Sequence, residues 1–159
     1  MNLSDWIDKH ADFNPGKVAV RCGALELTYA EMARDVSRMA AGLKAPLGVE
    51  RGDRVALLAQ NTAQTLVIAF ACARLGAIFQ PLNWRQAAPE HIYVLSDSRP
   101  KALFVASPLH NLVDGIADDL PTMTFISLDE DAKDKELRIA KKLRKYNISV
   151  KTFSSTPFK

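Results

Sequence analysis

The chain has 159 residues, a net charge of +3, 48% hydrophobic residues and 25% charged ones. That composition excludes a collagen-like, low-complexity or disulfide-stapled chain. A chain of this length suffices for one domain that buries roughly 70% of its unfolded surface. Two cysteines fifty residues apart, Cys22 and Cys72, suit a reducing compartment, and a cytoplasmic location is expected. The start, Met1 to Asp5, has neither a basic nor an apolar signal region, so no secretory leader is expected. The longest apolar run, Leu66 to Ala73, falls far short of the ~20 residues a membrane span needs.

The charge is unevenly spread. Residues 129–159 hold nine Lys/Arg and five Asp/Glu, a balance of +4, while residues 1–128 balance to −1. The shift marks a candidate boundary, with a folded region over 1–128 and a charged tail over 129–159. A frameshift or fusion near that point would make the tail foreign to what precedes it.

Trp6, Ile7, His10 and Phe13 have helical spacing and predict a helix over about 3–12. Asn14-Pro15-Gly16 ends it. Val18 to Cys22 and Leu25 to Leu27 flank Gly23-Ala24 and predict a hairpin. Thr28 with Glu31 forms a capping box before a helix to about Leu43. Its apolar stripe is Met32, Val36, Met39 and Leu43, and Pro46 and Gly48 stop it. Arg54 to Ala59 reads as a strand buried on both faces. Asn61, with Gln64 three residues on, predicts the cap of a helix ending at Leu75 before Gly76. That helix is apolar nearly all round, which predicts deep burial.

Ala77 to Leu82 is a short strand that Pro81 places at an edge or at its end. Pro89-Glu90 opens a helix to about Asp97. A strand over 101–106, a helix over 108–119 and a strand over 123–128 follow. The helix carries Leu112, Val113, Ile116 and Leu120 on one face. Beyond that, 129–146 has a charged helical pattern and Ile148 to Val150 reads as one more strand. Alternating helices and buried strands from Arg54 onward predict an α/β fold, a layered, mostly parallel sheet with flanking helices.

Four segments in order carry a resemblance. Leu27-Thr28-Tyr29-Ala30-Glu31-Met32 resembles the first core motif of the adenylate-forming (AMP-binding) superfamily. Gly52-Asp53-Arg54-Val55-Ala56-Leu57-Leu58 resembles its next recurrent strand, with Asn61 where the following helix often begins. Arg74-Leu75-Gly76-Ala77 through Gln80-Pro81-Leu82-Asn83 is similar to the second core motif. Asn83-Trp84-Arg85, followed by Pro89-Glu90, looks most like acyl-CoA synthetases acting on fatty or related carboxylic acids. The resemblance spans about 3–128.

It implies part of a large amino-terminal domain, from a parent that joins a carboxylic acid to ATP and then to coenzyme A. Such a reaction needs positive groups and backbone N–H donors around a triphosphate, with Mg²⁺. The family's Ser/Thr/Gly-rich loop ending in lysine, its later ribose-binding aspartate and its distant catalytic lysine have no counterpart in the sequence. Ser154 to Lys159 has that loop's flavour without its glycines, and without them the backbone cannot approach phosphates. No catalytic residue is assigned, no cofactor is expected in this piece, and ATP, Mg²⁺ and CoA are implied for the parent. Arg85, in the Asn-x-Arg position, is implied as a contact to a CoA phosphate, because a guanidinium binds phosphate bidentately.

Other constellations carry less. His10, His91 and His110 lack metal-ligand spacing and read as surface or helix-face histidines. No Gly-x-Ser-x-Gly turn supports a Ser–His–Asp triad. Trp6 and Trp84 read as packing residues. Lys141 to Lys145 offers an alternative, a non-catalytic module meeting nucleic acid or an anionic surface. The interleaved acids and missing aromatic platform favour a solvated helix face, so nucleic acid is not an expected partner. Surfaces meant for the rest of a larger enzyme would be exposed, favouring self-association.

Overall fold

The computed structural model describes residues 2–45 and 47–128. Helix α1 (Asp5–Phe13) precedes a hairpin of β1 (Val18–Cys22) and β2 (Leu25–Thr28). Then come α2 (Tyr29–Lys44), β3 (Arg54–Leu58), α3 (Ala63–Leu75), β4 (Ile78–Pro81), α4 (Ala88–Ser98), β5 (Ala102–Val105), α5 (His110–Ala117) and β6 (Phe125–Ser127). The hairpin is antiparallel, and the other four strands form a sheet of order β4-β3-β5-β6. The fold is therefore α/β with a parallel sheet and a small hairpin. The helix and strand expected over 129–150, and the basic stretch 141–145, lie outside the described residues.

The chain divides into two compact units. Among the described residues, one joins the chain up to Asp53 to Asn61–Phe79, and the other joins Arg54–Gln60 to the chain from Gln80 to Leu128.

In the first unit, Thr28 Oγ1 accepts from the Glu31 N–H at 3.3 Å, while the Glu31 carboxylate accepts from the Thr28 N–H at 2.8 Å. This is the capping box the sequence predicts. The Thr28 N–H, followed by its hydroxyl, holds the Glu31 carboxyl below its usual range. Ile7, Met32, Val36 and Val67 form one buried cluster. Ala40 and Leu43 are buried as well, and Met39 is only partly covered. The cap of α3 falls one residue later than expected. Thr62 is the cap, and its N–H donates to Thr65 Oγ1 at 3.2 Å. A threonine hydroxyl one turn in thus replaces the expected Asn61–Gln64 pairing. At the far end Gly76 adopts φ +70°, and its N–H reaches the carbonyls of Cys72 and Ala73, the left-handed helix end that glycine permits.

The expected deep burial of α3 is only partial, because Leu66 is 41% exposed. Trp6 is a second correction. It lies 58% exposed on α1 and does not pack into the core. Ile7 points inward instead, and only one of two adjacent helical residues can.

Arg74, in the last turn of α3, ties three helices together. Its Nη2 lies 2.6 Å from each Asp8 carboxylate oxygen on α1. Its Nε donates to the Ser4 hydroxyl at 3.4 Å, and its Nη1 donates to the Ser37 hydroxyl on α2.

In the second unit, β3 and β5 pair in parallel from Val55↔Ala102 to Leu58↔Val105. β5 and β6 pair from Leu103↔Phe125 to Val105↔Ser127. All four β5 residues are buried, as befits a strand flanked on both edges. Ala56, Leu58, Leu82, Leu95, Leu103 and Val105 share a core with Val113, Ile116 and Phe125. Burying such side chains is worth about 1.5–3 kcal/mol each before conformational entropy is counted. The helix expected from Pro108 begins instead as a 3-10 turn, Ser107–Leu109, before α5. α4 ends at Arg99, a non-glycine residue with φ +47°.

Candidate functional site

The Asn83-Trp84-Arg85 segment lies just beyond the carboxyl end of β4. Open parallel sheets bind ligands at that edge. The Leu82 N–H donates to the Leu57 carbonyl at 2.8 Å and the Leu82 side chain is buried, which fixes where the segment starts. Asn83 Oδ1 then accepts from the Arg85 N–H at 3.1 Å, and the Asn83 carbonyl accepts from the Gln86 N–H at 3.0 Å. This side-chain-stabilised turn is what asparagine favours. The Ala87 N–H donates to Glu90 Oε2 at 2.8 Å, so Glu90 closes the turn by capping α4.

Trp84 is half-buried against the core of this unit, which agrees with its expected packing role. The Arg85 guanidinium carbon stands 4.3 Å from the centroid of its ring, within cation–π range. Arg85 itself is exposed, and no carboxylate pairs with it among the described residues. The arrangement offers a charged planar fork, held by an aromatic face, beyond the carboxyl end of a strand. Its chemistry fits an anion, above all a phosphate.

Of the three histidines, expected at the surface or on a helix face, only His91 departs from expectation. His10 is exposed and stacks on Tyr29, ring centroids 4.8 Å apart. His110, half-buried at the start of α5, places Nε2 3.3 Å from the Val105 carbonyl and 3.4 Å from Ser127 Oγ. These contacts tie the carboxyl ends of β5 and β6 to the start of α5. His91 is completely buried, with neither ring nitrogen in a hydrogen bond, not a surface residue. The spacing of Ala88, His91 and Leu95 marks the inner face of α4, and that signal could have predicted its burial.

Cys72 is buried too, and loss of solvent pushes its thiol up to about 12. Among the described residues, no three His, Cys, Asp or Glu side chains converge as metal ligands. None of the described helices is long and apolar enough to cross a membrane.

The profile of the family described as AMP-binding enzyme matches residues 7–156. The chain belongs to the AMP-binding enzyme family. Its match continues past residue 128, where the resemblance of the motifs ends. Among AMP-binding relatives, an indoleacetate–CoA ligase of Aromatoleum aromaticum is 46% identical over 129 residues, 81% of this chain and 25% of the relative. A feruloyl-CoA synthase of Amycolatopsis is 44% identical over 108 residues, 68% of this chain and 22% of the relative. The crystal structure of the anthranilate CoA ligase AuaEII with anthranoyl-AMP superposes with a TM-score of 0.76 at 26% identity. That match covers 80% of this chain and 25% of the ligase. A Mycobacterium tuberculosis fatty acyl CoA synthetase matches with a TM-score of 0.74 at 32% identity, covering 86% of this chain and 28% of that one. The chain thus spans about a quarter of the length of the CoA ligases it matches.

Proposed function

We propose that this chain is an amino-terminal portion of an AMP-forming acid–thiol ligase acting on an aryl or acyl carboxylic acid, and that alone it does not catalyse the reaction. In that reaction the carboxylate attacks the α-phosphorus of ATP and expels pyrophosphate. A thiol then attacks the acyl carbon and expels AMP. Binding Mg²⁺ with ATP would neutralise the triphosphate's charge. The chain's own contribution is Arg85, which holds a phosphate of coenzyme A while Trp84 fixes the guanidinium plane.

The observation that carries this reading is the exposed Arg85 fork over Trp84, free of any carboxylate among the described residues. It stands beyond a parallel strand in a chain whose relatives are CoA ligases. The inactivity of the chain alone follows from its share of its relatives' length and from the missing glycine-rich loop. A cytoplasmic location and a weak tendency to self-associate belong to the same reading. The second rests on the exposed Trp6 and Phe13 on α1 and Leu3 just before it.

Calorimetric titration with coenzyme A and with dephospho-coenzyme A tests the site. Arg85→Gln is expected to weaken CoA binding about tenfold and to reduce its salt dependence. Equal binding by the two proteins refutes the assignment. The purified chain is expected to show no carboxylate-dependent ATP–pyrophosphate exchange, and robust exchange would refute the claim of inactivity. The alternative, a module using Lys141 to Lys145, predicts salt-sensitive binding to nucleic acid or anionic vesicles that disappears on neutralising those residues.

A further inference from the structure

Buried polar groups almost always find hydrogen-bond partners, so one that does not calls for a physical explanation. His91 is fully buried, and both of its ring nitrogens are unpartnered. It sits in the first turn of α4, where the helix dipole opposes positive charge. Through Leu95, α4 packs on a hydrophobic cluster that includes Leu58, Leu82, Val105 and Phe125. α5 carries His110 and Asp114 with Asp118 just past its end, and α4 carries Glu90 and Asp97. Of these, only the Glu90 charge acts on His91, and that carboxylate is already bonded to the Ala87 N–H.

We propose that His91 is an acid-sensitive latch. Neutral, it lets the first turn of α4 lie against the core, and its protonation releases that turn together with residues 83–87. The geometry makes the two states unequal. A neutral imidazole is a tolerable core side chain, whereas an imidazolium would be a buried charge that the Gln86 backbone and the already bonded Glu90 carboxylate offset less than burial opposes it. The first turn of α4 has little room to adjust, because a Cβ added at Gly115 on α5 would lie 3.1 Å from the Ala88 Cβ. The proposed relief is a lifting of the turn away from α5.

Burial accordingly pushes the His91 ring below the usual histidine range, against the Glu90 charge and the Gln86 backbone. The sign follows from which state binds the proton. The released state takes it up near the ordinary value of about 6.5 and the docked state only at lower pH. Docking is therefore complete above that value and weakens as pH falls through it. That the released segment carries the phosphate-binding Arg85 rests on the functional reading above. The latch itself does not, and it is read without any ligand.

The test is hydrogen–deuterium exchange on the whole chain between pH 7 and 5, corrected for intrinsic rates, with His91→Leu alongside. Protection of the 83–95 segment is expected to fall up to about tenfold per pH unit below 6.5 in the parent chain and to stay within about twofold in His91→Leu. The same decline in both proteins overturns the proposal. Should His91→Leu fail to fold, ring NMR of the parent chain decides. A neutral His91 ring until this segment loses protection supports the latch. Titration near 6.5 with protection unchanged overturns it.

Discussion

Replacing Arg74 with methionine removes the guanidinium that joins α1, α2 and α3 while keeping an unbranched apolar stem. The loss can be bracketed. A hydrogen bond to a charged group contributes about 1.5–3 kcal/mol when shielded, whereas an exposed ion pair contributes roughly 0.2–1 kcal/mol. The Arg74 side chain is 22% exposed and that of Asp8 is 48% exposed, so solvent screens one partner much more than the other. The bond to the Ser37 hydroxyl adds little, because that hydroxyl also donates to the Ala33 carbonyl, and the 3.4 Å bond to the Ser4 hydroxyl is long. About 1–2 kcal/mol of destabilisation is expected.

For a chain of this length that corresponds to a fall in Tm of roughly 2–8 °C. Urea denaturation of the parent, Arg74→Met, Asp8→Asn and the double variant measures it. The cycle should return a coupling of about 1 kcal/mol. In 1 M salt, where the Debye length is ~3 Å, the coupling should shrink but persist, since both oxygens sit 2.6 Å from one nitrogen. A coupling below about 0.3 kcal/mol would refute the reasoning, because it would mean the guanidinium is solvated and the three helices are joined by apolar contacts alone.

Gly115→Leu should destabilise the chain by about 1–3 kcal/mol, because the new side chain meets Ala88 across the α4–α5 contact. Ala88→Gly in the same protein should recover part of that loss, and the urea midpoints of the single and double variants measure both. Ellman's reagent at pH 8 should modify one thiol, Cys22, in the folded chain and both thiols in denaturant. Cys72 is fully buried and its thiol is held near 12, so a second fast-reacting thiol in the native chain would contradict that burial.

Much of the architecture could be read from local chemistry. Thr28 and Glu31 predicted their own cap, Gly76 predicted the end of α3, and the alternation from Arg54 predicted a parallel sheet. Errors arose where two neighbouring residues could serve equally. Asn61 and Thr62 can both cap a helix, and Trp6 and Ile7 compete for one inward position. Tertiary packing decided each case. The start of α5 was misplaced because Pro108 permits either an α-helical or a 3-10 first turn. Arg85 could be singled out from its motif, but its seat on Trp84 could not, because adjacent residues have no periodic relation that predicts stacking. His91 was misread because its type suggested a surface, while its spacing with Leu95 pointed inward.

The division of the chain into two units has a consequence for how it can be cut. The backbone passes from one unit to the other after Asp53, returns after Gln60, and leaves again after Phe79. Neither unit is a continuous stretch of sequence, so no single cleavage frees one intact. A product ending near residue 79 would retain all of the first unit and also carry β3, four of whose five residues are buried in the intact chain. Stripped of β5, that strand would offer bare backbone and apolar side chains to any passing copy, a template for aggregation. The shortest safe deletion from this chain therefore has to remove or preserve both units together.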